Sequence, residues 1–239
     1  RLSYDKRFTL GSELDKLVQE VIPELFDTKL GICISDWVAR ENFVIQPGIA
    51  LYRPLQENIL GIVLSVLTRV PIAIVGKPGS GKTLAMLICC RNLRGEMSET
   101  DFCKNYLPAL DTHFIHGSKG TTSNDIQASF EQAIMRSKSY AERSDGPVVL
   151  VFLDEASLPS SKAMVLKILH PYLDDCQVSF VCCSNDLFDE ANQNRMITLL
   201  RPGDQVSQLG DRAVGCLGLS PKALTESGTN PIIKQQVNA

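Results

Sequence analysis

Eight consecutive residues, Gly76-Lys77-Pro78-Gly79-Ser80-Gly81-Lys82-Thr83, carry the strongest chemical signal in this chain. They fit the pattern G-x-x-x-x-G-K-[ST], a loop that binds phosphate by its backbone. Glycines give the loop its dihedrals and allow close approach. The inward N–H groups form an anion nest. A helix that starts behind the loop aims its positive end at the same point. Lys82 is expected to reach the β and γ phosphates, and the Thr83 hydroxyl to ligate Mg²⁺. With Leu84 in the first helical turn, residues 76–84 form the expected nucleotide contact. At average residue usage, a chance match in a chain of this length is about one in a hundred.

A second signal is Val148–Glu155, VVLVFLDE. An apolar run that ends in two carboxylates suits a buried strand with acids at its carboxyl end. Asp154 would hold the metal, directly or through water. Glu155 would polarise an attacking water. Alone, the pattern also describes a strand followed by an acidic helix cap. The 72 residues between Lys82 and Asp154 leave room for one strand and its crossovers, so the two halves support each other.

A third buried run, SFVCCSN, ends at Asn185, 31 residues after Asp154. Asn185 would stand beside Asp154 and bond the attacking water or the γ-phosphate. The competing reading makes Asn185 the N-cap of a helix in DLFDEA. Arg195, after Asn194, and Arg201 are the arginines placed to act as fingers toward a neighbouring unit's nucleotide. Ordinary ion pairing is the alternative for each.

These side chains need a scaffold. The run PIAIV (71–75) reads as a strand that feeds the glycine loop. Further strands are expected at 112–116, 148–153, 178–183 and 196–200. Helices are expected at 53–69, 83–93, 123–137 and 162–173, with a polar loop over 139–146. Strands that alternate with helices imply a parallel α/β sheet with right-handed crossovers. The ligand-binding ends would then gather at the carboxyl ends of the strands. Ahead of this core, residues 10–26 place Leu10, Leu14, Leu17, Val18, Val21 and Leu25 at helical spacing. Residues 30–50 look irregular. Residues 203–239 carry five glycines and weak periodicity, as a short helical lid would.

Composition narrows the classes. The chain has 239 residues, 44% hydrophobic and 21% charged, which is enough to bury a core. A net charge of −3 and the absence of a basic stripe count against a nucleic-acid motor. The eight cysteines form no C-x-x-C pair, and His113, His116 and His170 extend none of them into a zinc pattern. His113 and His116, three apart on a strand, would face opposite sides. Reduced buried thiols fit a cytoplasmic location. No signal peptide opens the chain, and no apolar stretch is long enough to span a bilayer. No N-K-x-D segment is present to read guanine, so adenine is preferred.

The phosphate loop, the acidic strand end and the polar strand end together are similar to those of AAA+ proteins. There the Asn-bearing strand (sensor 1) lies between the phosphate-loop strand and the acidic strand. The expected fold is therefore a P-loop AAA+ (ASCE) three-layer α/β sheet of order 5-1-4-3-2 with a small helical lid. More specifically, residues 44–202 resemble the AAA+ units of the mysterin family, giant ring-finger ubiquitin ligases with a dynein-like core. The stretches that carry this are IQPGIALYRPLQENILGIVLSVLTRVPIAIVGKPGSGKTLA, FIHGSKGTTSNDIQASFEQA, VVLVFLDEASLPSSKAMVLKILHPYL and FVCCSNDLFDEANQNRMITLLRP. One departure is Asp186, which stands where the family pattern has Trp.

The resemblance implies three segments. They are an N-terminal helical extension or end of a preceding unit (1–43), the AAA+ core (44–202), and a partial lid or start of the next segment (203–239). It implies ATP and Mg²⁺ as cofactors and neighbouring AAA+ units of the same polypeptide, in a pseudo-hexameric ring, as partners. Ubiquitin transfer would belong to the parent protein. No ring-finger pattern occurs in these residues. The expected activity is ATP hydrolysis that drives conformational change. Two readings remain beside it: a nucleotide-dependent structural module with little or no turnover, and a P-loop motor on nucleic acid.

Overall fold

The computed structural model describes residue 34 and residues 36–142, 146–159 and 165–201. The helix expected over 10–26 and the lid expected over 203–239 lie outside these residues.

Helix α1 spans Arg53–Thr68, with Pro54 in its first turn where no N–H is needed. Arg69 closes it in the left-handed region, with its N–H on the Ser65 carbonyl. Strand β1 (Ile72–Gly76) follows, then the glycine loop, then α2 (Lys82–Asn92). A single 3₁₀ turn (Gly95–Met97) and a short helix α3 (Asp101–Tyr106), capped by the Thr100 hydroxyl, lead into β2 (Leu110–His116). Helix α4 (Ser123–Ala141) starts at a capping box. Thr122 Oγ1 accepts from the Asp125 N–H at 3.3 Å, and the Asp125 carboxylate accepts from the Thr122 N–H at 2.8 Å. These bonds from Thr122 hold the Asp125 carboxyl below its ordinary value. The rest of the core is β3 (Val148–Asp154), a 3₁₀ turn (Val165–Ile168), α5 (Leu169–Asp175), β4 (Ser179–Ser184), the single-turn helix α6 (Glu190–Gln193) and β5 (Ile197–Arg201).

Two expectations need correction. The helix expected to end at 137 runs on to Ala141 despite its polar sequence. Its last turn is pinned to the sheet edge, because the Tyr140 hydroxyl donates to Asp111 at 3.0 Å and Arg136 pairs with the same carboxylate at 3.0 Å. The helix expected over 162–173 is, in its described part, 3₁₀ before it is α. Pro171 explains the break. Inside an α-helix its ring would clash with the residue 167 carbonyl, so the α-helix begins at Leu169 and leaves Pro171 in the first turn. The six-residue helix α3 was not foreseen, and α6 only overlaps the helix weighed in DLFDEA; too few residues make up each one to show a period.

The five strands are all parallel and lie in the order β2-β3-β4-β1-β5. This is the expected 5-1-4-3-2 order read from the other edge. Alternation along each strand divides its side chains between two cores. On one face Ile72, Ile74, Leu150, Phe152, Val181 and Cys183 pack against α1 and α2. On the other, Ala73, Val75, Val149, Val151, Phe180 and Cys182 pack against α4 and α5. Helices on both faces explain why VVLVFL and SFVCC read as unbroken apolar runs rather than alternating ones.

Phe130 of α4 centres the second core. It is 1% exposed, stacks on Tyr172 with ring centroids 4.4 Å apart, and meets Phe180 at 5.5 Å. Phe130→Ala is expected to destabilise the fold by about 3–5 kcal/mol, because the fixed sheet beneath it cannot close the cavity. A urea titration would read this as a lower midpoint with an unchanged slope. A midpoint that does not move would mean that α4 is not anchored through this ring.

Candidate active site

Three parallel strands, β1, β4 and β3, end side by side and deliver the site residues at the carboxyl end of the sheet. After β1 the chain turns through Lys77, Pro78 and Gly79, all exposed, before Ser80 is buried again. Gly81 is the N-cap of α2 at φ 77°, and Gly79 stands at φ 84°. A side chain at Gly81 would also meet the Tyr52 hydroxyl at 2.7 Å, so only glycine fits there.

Lys82 is 8% exposed and curls back over the loop. Its ammonium donates to the Gly76 carbonyl at 2.6 Å, the Lys77 carbonyl at 3.2 Å and Asn185 Oδ1 at 3.0 Å. The other end of that amide, Asn185 Nδ2, donates to Glu155 Oε2 at 3.0 Å. Asn185 therefore bridges the lysine and the carboxylate. Thr83 Oγ1 donates to Asp154, 3.0 and 3.2 Å from its two oxygens. Leu84 turns away from this cluster and packs on the core.

Glu155 sits at φ 50°, in the left-handed region that a side chain with a Cβ seldom adopts. Such a conformation costs on the order of 1–3 kcal/mol and persists only where neighbours fix it. Here they do. The Asp154 carboxylate accepts the Glu155 N–H at 3.0 Å, and the Gly117 N–H reaches the Asp154 carbonyl at 2.8 Å. The Ala156 N–H reaches the Cys183 carbonyl at 2.8 Å. A Cβ on Gly117 would lie 2.3 Å from the Glu155 carbonyl oxygen. The end of β2 thus packs directly on the backbone that aims Glu155.

Cys183 lies beneath this cluster. Burial pushes its thiol well above the ordinary value, and the Asp154 charge pushes it the same way. It is a neutral packing residue.

The competing reading of Asn185 as a helix cap does not hold. The cap of α6 is Asp189, whose carboxylate accepts from the Asn192 N–H at 2.8 Å. Asp186, at the position of the family's Trp, is exposed, and Phe188 fills the core nearby at 7% exposure. Arg195 stands apart from the cluster. Its Nε lies 3.2 Å from both oxygens of Asp174, and its Nη1 donates to the Ala191 carbonyl at 2.6 Å. Arg201 turns into its own domain, bonded to Glu57 and Asn58, with its side chain 10% exposed. Sequence reasoning missed Gly117 and Asn58. Gly117 did carry a signal, a glycine directly after an expected strand. Asn58 carried none.

The donor set fits a magnesium nucleotide. One hydroxyl and one carboxylate in contact suit an ion that keeps several waters and takes its other ligands from phosphate. The loop supplies N–H groups and an ammonium of the opposite charge.

Comparison with known proteins shows the family. The family described as RNF213 AAA domain matches residues 48–208. The E3 ubiquitin-protein ligase RNF213 of Mus musculus is 31% identical over 186 residues, which is 72% of this chain and 4% of that protein. A Dictyostelium discoideum protein named as an uncharacterized transmembrane protein is 30% identical over 181 residues, 72% of this chain and 3% of its own length. The chain thus spans only a few hundredths of the length of these relatives. Among the described residues, no helix is long and apolar enough to cross a membrane. Among solved structures, PCH-2 of C. elegans superimposes with a TM-score of 0.43 at 14% identity, covering 74% of this chain and 52% of that one.

Proposed function

The chain belongs to the RNF213 AAA-domain family, and we propose that it binds Mg·ATP and hydrolyses it, driving conformational change within a larger, mysterin-like ubiquitin ligase. The observation that carries this is the bridge through Asn185, which joins the Lys82 ammonium to the Glu155 carboxylate at 3.0 Å on each side. A bland strand end has no reason to gather an ammonium, an amide and two carboxylates.

Residues 76–84 would hold the triphosphate, with Lys82 on its β and γ groups. Thr83 and Asp154 would hold Mg²⁺, which neutralises charge that develops on the phosphates when bound. Glu155 accepts a proton from the attacking water, and Asn185 fixes the Glu155 carboxylate and the water beside it. Lys82 can leave the Gly76 and Lys77 carbonyls for a phosphate, because a full anion is the stronger acceptor. Arg195 would act on a neighbouring unit, after its exposed pairing with Asp174 opens; such pairs are weak. The proposed partners are the adjacent AAA+ units of a ring in the same polypeptide, with ubiquitin transfer performed elsewhere in the parent protein, in the cytoplasm.

Equilibrium binding of a fluorescent ATP analogue with Mg²⁺ tests the cradle. Wild type is expected to bind, and Lys82→Ala to lose at least about tenfold in affinity, the loss of one charge-assisted bond. Equal affinities would remove the phosphate role from Lys82. No affinity in wild type would overturn the nucleotide reading.

A further inference from the structure

Behind the phosphate loop runs a second set of polar contacts, which the proposed chemistry does not use. It begins at Glu57 on α1, which pairs with Arg201 at the end of β5. Arg201 Nε donates to Asn58 Oδ1 at 2.6 Å, and Asn58 Nδ2 donates to the Ser80 carbonyl at 3.3 Å. Asn58 is fully buried, at 0% exposure. Its orientation follows from its partners. A guanidinium can only donate and a carbonyl can only accept, so the amide oxygen must face Arg201 and the amide nitrogen Ser80.

We propose that Asn58 and Arg201 are positioning residues for the phosphate loop, setting the peptide between Ser80 and Gly81 so that its N–H faces the bound phosphate. The reasoning is planar geometry. In a trans peptide the carbonyl and the following N–H point in opposite directions. Asn58 draws the Ser80 carbonyl toward α1, which turns the Gly81 N–H away from α1, toward the inner side of the loop. Two close approaches fix the frame of this peptide. Gly76 pairs with Arg201 in the sheet, and a Cβ on it would lie 2.6 Å from the Arg201 Cβ. Gly81 is pressed against Tyr52 and Leu55 of the segment that opens α1. The loop is thus tied to β5, the edge strand, as well as to β1, and a shift of Arg201 is transmitted to a phosphate donor through a single side chain.

The phosphate role rests on the nucleotide reading above, whereas the anchoring of the loop is observable without ligand. The test uses both. Amide hydrogen exchange over residues 76–83 and affinity for the fluorescent ATP analogue with Mg²⁺ are measured for wild type, Asn58→Asp and Arg201→Lys. Asn58→Asp keeps an acceptor for Arg201 but sets a carboxylate against the Ser80 carbonyl. Arg201→Lys keeps the charge for Glu57 but loses the planar donor to Asn58, and it serves if Asn58→Asp does not fold. Each variant is expected to speed exchange in the loop and weaken nucleotide binding, both by about tenfold, the effect of one buried hydrogen bond. Exchange in β3 and α4 should stay unchanged. If wild type binds and both variants match it in affinity and loop exchange, the positioning role is overturned alone. Faster exchange spread over the whole fold also overturns it, in favour of a general stabilising role. If wild type does not bind, the nucleotide reading and the phosphate role fall together.

Discussion

Glu155→Gln is expected to leave Mg·ATP affinity unchanged and to lower single-turnover hydrolysis by about 10²–10⁴-fold, the usual contribution of a placed general base. The amide has nearly the same shape as the carboxylate, and its oxygen can still accept from Asn185 Nδ2, which holds Glu155 at 3.0 Å. Lys82, Thr83 and Asp154 keep their own partners. What disappears is the ability to take a proton from water. Hydrolysis in AAA+ proteins draws on a neighbour's arginine, so the rate is measured with the adjacent AAA+ unit present as well as without it. A variant that turns over as fast as wild type would place the base elsewhere. If wild type is silent in both settings, this module is a nucleotide-dependent strut, not a motor.

Gly117→Ala should produce the second-largest loss, although residue 117 is expected to touch neither nucleotide nor metal. The added methyl would stand 2.3 Å from the Glu155 carbonyl oxygen and 2.9 Å from that of Asp154, both of them backbone atoms. Either the end of β2 retreats and gives up its 2.8 Å bond to Asp154, or Glu155 moves. A displacement of about 1 Å at a catalytic group can cost about 10²-fold in rate. Turnover should therefore fall by about 10²-fold while Lys82, on the far side of β4, retains affinity within about tenfold. A simple packing defect would instead lower the thermal midpoint and leave turnover intact well below it. That outcome would strip Gly117 of its role in aiming Glu155.

Sequence reasoning reached far into this fold because the informative signals were local. Gly76–Thr83 is one contiguous loop, and VVLVFLDE and SFVCCSN are runs whose burial on both faces shows in their composition. The expected strand order follows from those runs together with the AAA+ likeness. What escaped was held by contacts remote in sequence. Asn58 meets Arg201 across 143 positions, and no local pattern distinguishes it from any other polar residue on a helix. For Arg201 the sequence left a finger and an ordinary ion pair open, because it does not show that Glu57 and Asn58 wait for that side chain on α1. The left-handed Glu155 is the same kind of case. Glu has no preference for that conformation, and Gly117 and Cys183, from the strands on either side of β3, impose it.

The interior position of β1, between β4 and β5, also sets a schedule for synthesis. Its two neighbours, β4 and β5, lie more than a hundred residues downstream, since Ile72 pairs with Val181 and with Ile197. A ribosome adding about 5–20 residues per second takes on the order of 5–25 s to cover that distance. Throughout that interval the apolar strand Ile72–Val75 has been made but has no sheet to join, while β2 and β3, joined through α4, can already pair. The nascent chain therefore carries an unpartnered aggregation-prone strand until its last sheet elements emerge. A translation stall between residues 76 and 179 would expose a segment that the finished protein buries on both faces.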